Sequence, residues 1–479
     1  MPTAIDQTFP VHAAESSSIS YRKLTGSILS VAIPVALWFA PLHLEVTAKH
    51  ALAISAFMIV AWIFEVMPHA LAGLIGCYLY WALGVAKFPQ AFSGFADDAT
   101  WFVFGAVLFG TMATKSGLAR RIAYLVMGRV GPGYSRLLLG FVLTSFVLTF
   151  LVPSGIACIV IMASVALGFM EVFGLGRGSN IGRGMFITLT YTAGALDKMV
   201  IAGPSVILGR GLIEKGTGVA IPYSLWFWAF LPISLVTILF IWRLAVWMYP
   251  PEQVALSGGN QFVHDELAKM GPWTGAEKKA LAIMLLAIAL WMTDMLHHLS
   301  PVLIGLGAGL LGAIPGIGVL ESDDLRKTNY LPVFFVAASL SMGNILVQTK
   351  ALAAMIGVMF GWMQPLMVNI FAQTQVAYWA AFLYHILLGN ELAMLATSLP
   401  GLLAFATAHG IHPLPLGMVW GFAAGGKIFV YQSAVMIAGY SYGYFDGKDL
   451  IKVGTLVTLV QGVLLLILVP FYWPLIGIH

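Results

Sequence analysis

Apolar runs of membrane-spanning length recur along this chain, and two of them carry a lysine beside a glycine-rich segment that would break a helix. A helix needs about 20 apolar residues to cross the hydrocarbon of a bilayer. Candidate runs occupy residues 28–42, 51–66, 71–86, 101–113, 225–249, 281–297, 302–320, 332–347, 418–440 and 456–475. Of the 479 residues, 60% are hydrophobic and 9% charged, against about 25% charged in a soluble globular protein. The expected fold class is therefore an all-α polytopic membrane protein, since a helix satisfies its own backbone hydrogen bonds in lipid.

The two lysines are Lys198, in the stretch 193–206, and Lys427, in the stretch 423–435. Ionisable groups in hydrocarbon are costly, by about 2.5–3.5 kcal/mol on insertion scales, and usually face a bundle interior or a water-filled cavity. Two lysines at matching places in two halves point to a transporter built from repeats, with its site between them. The segment 185–212 is broken by Gly194, Gly203 and Pro204, which predicts a discontinuous helix whose freed backbone groups line a cavity.

Basic residues set the expected orientation. Arg22 and Lys23 put the N-terminal tail, residues 1–26, in the cytoplasm, and no cleavable signal precedes them. Lys115, Arg120, Arg121, Arg129 and Arg136 mark a second cytoplasmic region, and Arg177 and Arg183 a third. The apolar stretch 137–175 thus has basic residues at both ends and is broken at Pro153-Ser154-Gly155. It reads as a re-entrant hairpin entered from the cytoplasmic side. The stretch 366–408, broken at Gly389-Asn390-Glu391 and flanked by loops without Lys or Arg, reads as a second hairpin from the external side. Lys448 and Lys452 make the last loop cytoplasmic and leave the C-terminus outside. The resulting expectation is about eleven transmembrane helices plus two opposed re-entrant hairpins in inverted repeats. Its divisions are scaffold helices over 27–100 and 280–330, a first repeat over 101–249, a cytoplasmic linker over 250–279 and a second repeat over 331–479. The localisation expected is the cell (inner or plasma) membrane.

Three motifs carry a family resemblance. Trp62-Ile63-Phe64-Glu65-Val66-Met67-Pro68 is similar to a W-x-x-E-x-x-P signature. The stretch from Phe95-Ala96-Asp97-Asp98 through Lys115-Ser116-Gly117-Leu118 to Arg121 is similar to the start of a first transport repeat. Ser441-Tyr442-Gly443-Tyr444-Phe445 with Asp449 to Gly454 is similar to a C-terminal S-G-Y-F…D-x-x-K-x-G stretch. Together, from about residue 51 to the end, they resemble the divalent anion/sodium symporter family. The resemblance implies a homodimer with a scaffold domain and a moving transport domain. Members carry di- or tricarboxylates, sulfate or related anions by an elevator motion, most with sodium and some by exchange.

The chain departs from that family where ions would bind. Each hairpin tip of the family carries Ser-Asn-Thr, touching substrate and sodium; the matching triplets here are Ser154-Gly155-Ile156 and Asn390-Glu391-Leu392. The opposing unwound loops read Ala202-Gly203-Pro204-Ser205 and Tyr431-Gln432-Ser433-Ala434. Lys198 and Lys427, each four residues before its loop, would then stand in for two sodium ions as fixed positive charges. This favours a sodium-independent exchanger of small dianions, with Ser154, Gly155, Ile156, Lys198, Gly203, Pro204, Ser205, Asn390, Glu391, Leu392, Lys427, Tyr431, Gln432 and Ser433 around the substrate. Asp197 or Glu391 could pair with a lysine and compensate its charge. Alternatively Glu391 is a proton carrier, and the protein a proton-coupled symporter.

Blander roles are expected elsewhere. Glu65 reads as structural and outside the site, Thr192 as a small polar candidate and His385 as packing. Arg120 and Arg121 are explained by topology, and Gly421, Gly425 and Gly426 by close helix packing. Asp294, His297 and His298 fall at a helix end near the surface. Cys77 and Cys158 lie in apolar runs without metal or disulfide spacing and should be buried free thiols. No metal, cofactor or nucleic-acid partner is expected; the partners are the anion and the bilayer. A membrane-embedded enzyme would need a constellation such as H-E-x-x-H or G-x-S-x-G, which is lacking.

Overall fold

A computed structural model describes residues 21–131, 133–152, 154–253, 258–388, 390–425 and 428–479, with the side chain of Arg22 excepted. Lys427 and Gly426 lie outside the described residues, as do Pro153 and Gly389. Among the described residues the chain is helical and contains no strand.

Three leading helices, α1 (Tyr21–Phe39), α2 (Val46–Ile63) and α3 (His69–Ala82), precede a short turn α4 (Phe88–Ala91). Then comes a run of elements that is repeated later in the same order. First come α5 (Asp98–Lys115) and α6 (Leu118–Met127), a pair bent by 64° where Gly117 takes a left-handed φ of 78°. A helical hairpin of α7 (Tyr134–Leu151) and α8 (Gly155–Val172) follows. Next is a broken helix, α9 (Asn180–Leu196) and α10 (Pro204–Thr217), and then the long α11 (Tyr223–Met248). Between the runs lie α12 (Gly259–Met270), α13 (Gly275–Met292), α14 (Asp294–His297), α15 (Pro301–Leu311) and α16 (Ser322–Lys327).

The second run has the same pattern. A jointed pair, α17 (Leu331–Gln348) and α18 (Ala351–Phe360), turns at Lys350, a non-glycine with φ 59°. The hairpin is α19 (Ile370–Leu388) with α20 (Glu391–Ala408). The broken helix is α21 (Pro413–Ala423) with α22 (Ala434–Ser441), followed by α23 (Gly447–Ile467). Packing is crossed between the runs. The hairpin arm α8 rests on its own α9 and on α22 of the second run, while α20 rests on its own α21 and on α10 of the first.

By length and apolarity, seven helices of the described residues can cross a membrane, or eight counting the bent α5–α6 pair; four shorter apolar helices add to them. Several sequence expectations change. The run 418–440 is not one span: helix ends at Ala423 and resumes at Ala434, because the glycines and the Tyr431–Ser433 stretch favour turns. The run 302–320 is helical only as far as Leu311, where the eleven-residue α15 ends with Gly312 as its C-cap. Asp294 is buried, with 3% exposure, rather than near the surface. Its carboxylate accepts from the N–H of Tyr223 (2.5 Å) and Ser224 (3.4 Å), capping α11. Cys77 and Cys158 are free and buried.

The linker is docked on the bundle. Arg121, 4% exposed, donates to Glu277 (2.6 Å) and to the carbonyls of Gly271 (2.9 Å), Met270 (3.2 Å) and Pro272 (3.3 Å). That role goes beyond the topological one expected of it. Arg120 pairs with Glu266 at 3.0 Å. A hydrogen bond from Lys269, helped by Arg120, holds the Glu266 carboxyl below the usual carboxylate range.

Candidate functional site

The two hairpin breaks and the two broken helices meet at one cavity of about 640 Å³. Each break ends in the start of a helix, and the residues there are good caps. Ser154 Oγ accepts from the Ala157 N–H (3.3 Å) at the head of α8, and Asn390 Oδ1 from the Ala393 N–H (3.1 Å) at the head of α20. Ser433 Oγ accepts from the Val435 N–H (3.1 Å) at the head of α22. At the head of α10, Gly203 precedes Pro204 in the first helical position, where a missing N–H costs nothing. Four helix N-termini therefore border one cavity. First-turn N–H groups have no intrahelical acceptor, and each terminus carries roughly half a positive elementary charge.

Most of the sequence-predicted site residues line this cavity. From the tips come Ser154, Gly155, Ile156, Asn390, Glu391 and Leu392; from the unwound loops come Gly203, Pro204, Ser205, Tyr431, Gln432 and Ser433. Asp197 lines it as well, its carboxylate against the Cα of Gly203, where a Cβ would come within 2.8 Å. Tyr431 is 41% exposed, and its hydroxyl donates to the Ile386 carbonyl (3.2 Å). Gln432 is buried, its Oε1 accepting from the N–H of Ile428 (2.6 Å) and Phe429 (2.9 Å). His385 Nε2 is hydrogen-bonded to the Gln432 carbonyl oxygen (2.9 Å), a buried polar contact that ties α19 to the unwound loop and goes beyond the packing expected of it. Thr192 is buried within α9, away from the cavity.

Lys198 is placed differently from expectation. It belongs to the turn between α9 and α10 rather than preceding it, and its side chain is 5% exposed and absent from the cavity wall. The backbone carbonyl of Lys198 accepts from Trp226 Nε1 (3.0 Å), and its stem runs against Gly425, where a Cβ would fall 2.5 Å from Cε. Its ammonium forms an ion pair with Glu391 at the tip of the second hairpin. The pair joins the broken helix of one run to the hairpin of the other. Lys427, the second expected cation, falls outside the described residues.

Four wall residues escaped sequence reasoning. Thr111 and Thr114 lie on the same face of α5, and Asn329 just precedes α17. Glu65, expected outside the site, lines the cavity in a left-handed backbone with φ 52°. Non-glycine residues adopt that conformation rarely, and it clusters at functional sites. Its place in the W-x-x-E-x-x-P motif was the available signal. Among the described residues the wall contains no Lys or Arg. The positive contribution comes from the helix termini, set against the carboxylates of Glu65, Asp197 and Glu391, and the uncharged donors come from hydroxyl and amide groups. Such a cavity suits an anion of a few carbon atoms.

A family model described as "Sodium:sulfate symporter transmembrane region" matches residues 21–479. A Cupriavidus necator protein named "Membrane protein" is 26% identical over 91% of this chain and 89% of its own. The "Dicarboxylate transporter 2, chloroplastic" of Spinacia oleracea is 23% identical over 96% and 84%. The "L-tartrate/succinate antiporter" of Escherichia coli K12 is 24% identical over 94% and 97%.

Proposed function

The chain belongs to the family of the sodium:sulfate symporter transmembrane region, and on that premise we propose that it is a secondary active transporter of small dicarboxylate-type dianions, working as a sodium-independent exchanger. The observation that carries this reading is the convergence of four helix N-termini on one cavity. At roughly half a charge each they sum to about two positive charges, the complement of a dianion. In an empty cavity those termini face only the wall carboxylates of Glu65, Asp197 and Glu391, the last paired with Lys198, whereas a bound dianion gives them a partner in direct contact. This asymmetry favours exchange of one anion for another over net uptake.

Sodium independence is supported by what the hairpin tips offer. Sodium wants several oxygen ligands; at the hairpin tips Gly155, Ile156 and Leu392 have none in their side chains, the oxygens of Ser154 and Asn390 each accept a backbone N–H, and the Glu391 carboxylate is paired with Lys198. Lys198, once released from its pair with Glu391, and Lys427 are the side chains proposed to supply positive charge in place of two ions. The names of the relatives, a dicarboxylate transporter and a tartrate/succinate antiporter, agree in substrate class and mode.

In this reading the hairpins are re-entrant, their tips meeting in mid-membrane, and the hairpins with the broken helices form the moving part of an elevator. The divisions at 101–249 and 331–479 are the inverted repeats, and the working unit is a homodimer. The cavity opens to the cytoplasm, since Thr114 and Asn329 on its wall adjoin Lys115 and Lys327, on the side the basic residues assign to the interior. A proton-coupled symporter is the second reading, favoured by the position of Glu391 on the cavity wall.

The test is uptake of radiolabelled succinate into proteoliposomes free of sodium. Exchange predicts uptake only when the vesicles hold unlabelled dianion, with no response to a pH step. Uptake into empty vesicles driven by a proton gradient would support the second reading. An absolute sodium requirement would overturn both.

A further inference from the structure

We infer that the Lys198 ammonium is a carboxylate subsite of the cavity, and that in the unloaded protein the Glu391 carboxylate occupies it as a tethered stand-in for one end of the substrate. The inference rests on the reading of the cavity as a dianion site. It adds a residue that sets affinity and the reason for an acidic side chain at a hairpin tip that faces an anion.

The geometry is specific. Glu391 is the first helical residue of α20 and lines the cavity; Lys198 lies behind it and does not. The two side chains are 11% and 5% exposed and form an ion pair. Glu391 therefore stands between the ammonium and the cavity. A carboxylate on a dissolved anion that reaches Lys198 from the cavity takes the place of a group with the same charge and the same pair of acceptor oxygens. The lysine itself is held from behind, by Trp226 on its backbone carbonyl and by Gly425 against its stem, and it offers three donors at a fixed place. Glu391 heads α20 at the cavity wall, so its carboxylate can leave the pair by rotation of its own side chain.

A ligand that must displace an internal competitor binds more weakly by the fraction of time the subsite is free. The experiment is calorimetric titration of succinate, with sulfate as a second probe, into the purified full-length protein in sodium-free buffer. Glu391→Gln is expected to bind succinate about tenfold more tightly than the wild type, which corresponds to a subsite free roughly a tenth of the time. Glu391→Asp, whose shorter carboxylate fails to reach, should shift in the same direction. Lys198→Gln should lose at least about tenfold, and the Lys198→Gln/Glu391→Gln double variant should stay as weak as Lys198→Gln. Sulfate, too small to reach Lys198 while held by the helix termini, should gain little from Glu391→Gln. The inference is overturned if wild type binds succinate but Glu391→Gln and Glu391→Asp bind it equally or less tightly. Recovery of wild-type affinity in the double variant, the signature of a merely structural pair, also overturns it while leaving the dianion reading intact. Failure of the wild type to bind either anion overturns the reading and the inference together.

Discussion

Arg121 shows how much a single charged side chain can organise in a chain with so few. Its guanidinium is buried against the Glu277 carboxylate and three carbonyls at the end of the linker. Removing it strands Glu277, itself 2% exposed. Losing one partner of a buried pair costs about 3–5 kcal/mol. Arg121→Ala is therefore expected to lower unfolding stability by about that amount, and Arg121→Lys to restore little, since an ammonium lacks the planar fork. Thermal unfolding in detergent measures both, and a wild-type midpoint for Arg121→Ala would refute the assignment. At this scale the sequence was only partly legible. That Lys198 was costly to bury could be read from its apolar surroundings, and so could its candidate partners, Asp197 and Glu391. Which of them it would choose depended on where the turn after α9 aimed the side chain, and no local pattern encodes that. Glu65 was misjudged for a related reason: its positive φ, which brings it to the cavity, belongs to a residue type that seldom adopts one.

Helices here are separated by breaks that glycine, proline and capping residues announce, and this is why the elements were easier to read than the contacts between them. Pro153-Ser154-Gly155 and Gly389-Asn390-Glu391 each combine a breaker with an N-cap, and helix resumes at the next residue in both places. The break of 418–440 was half seen: its glycines were noted, but the apolar residues around them disguised the interruption between Ala423 and Ala434. Packing between elements uses small residues where backbones touch. A Cβ on Gly105 of α5 would come within 2.6 Å of the Gly305 carbonyl and the Leu306 Cα of α15, and one on Gly309 within 2.6 Å of the Gly105 carbonyl. Gly305 and Gly309 are one turn apart, the small-xxx-small spacing that lets membrane helices approach closely. Gly105→Ala must push the two backbones apart and is expected to cost about 1–3 kcal/mol. Gly307→Ala, on the same helix with nothing within 4 Å, is the control and should leave stability unchanged. Equal unfolding midpoints for the two variants would contradict the crossing.

Across the whole molecule, a repeated order of elements surrounds a cavity that neither run encloses alone. The repeat was legible in the chain because both halves carry an apolar hairpin with a broken centre and a helix broken beside a lysine. The convergence of the four helix heads was expected only through family resemblance, since packing of α8 on α22 and of α20 on α10 joins residues far apart in sequence. The wall formed by α5 and Asn329 was not foreseen, because Thr111, Thr114 and Asn329 carry no break or charge of their own that points inward, and Glu65 was marked only by its motif. The central proposal is that the protein's own helix dipoles and lysines hold the dianion without sodium. The direct measurement is the affinity of the purified protein for succinate with sodium fully replaced by an inert organic cation, compared with the same titration after sodium is restored. The account predicts equal dissociation constants in the two buffers, within about twofold. Binding that appears only with sodium would contradict it, and would mean that the hairpin tips ligate a cation after all.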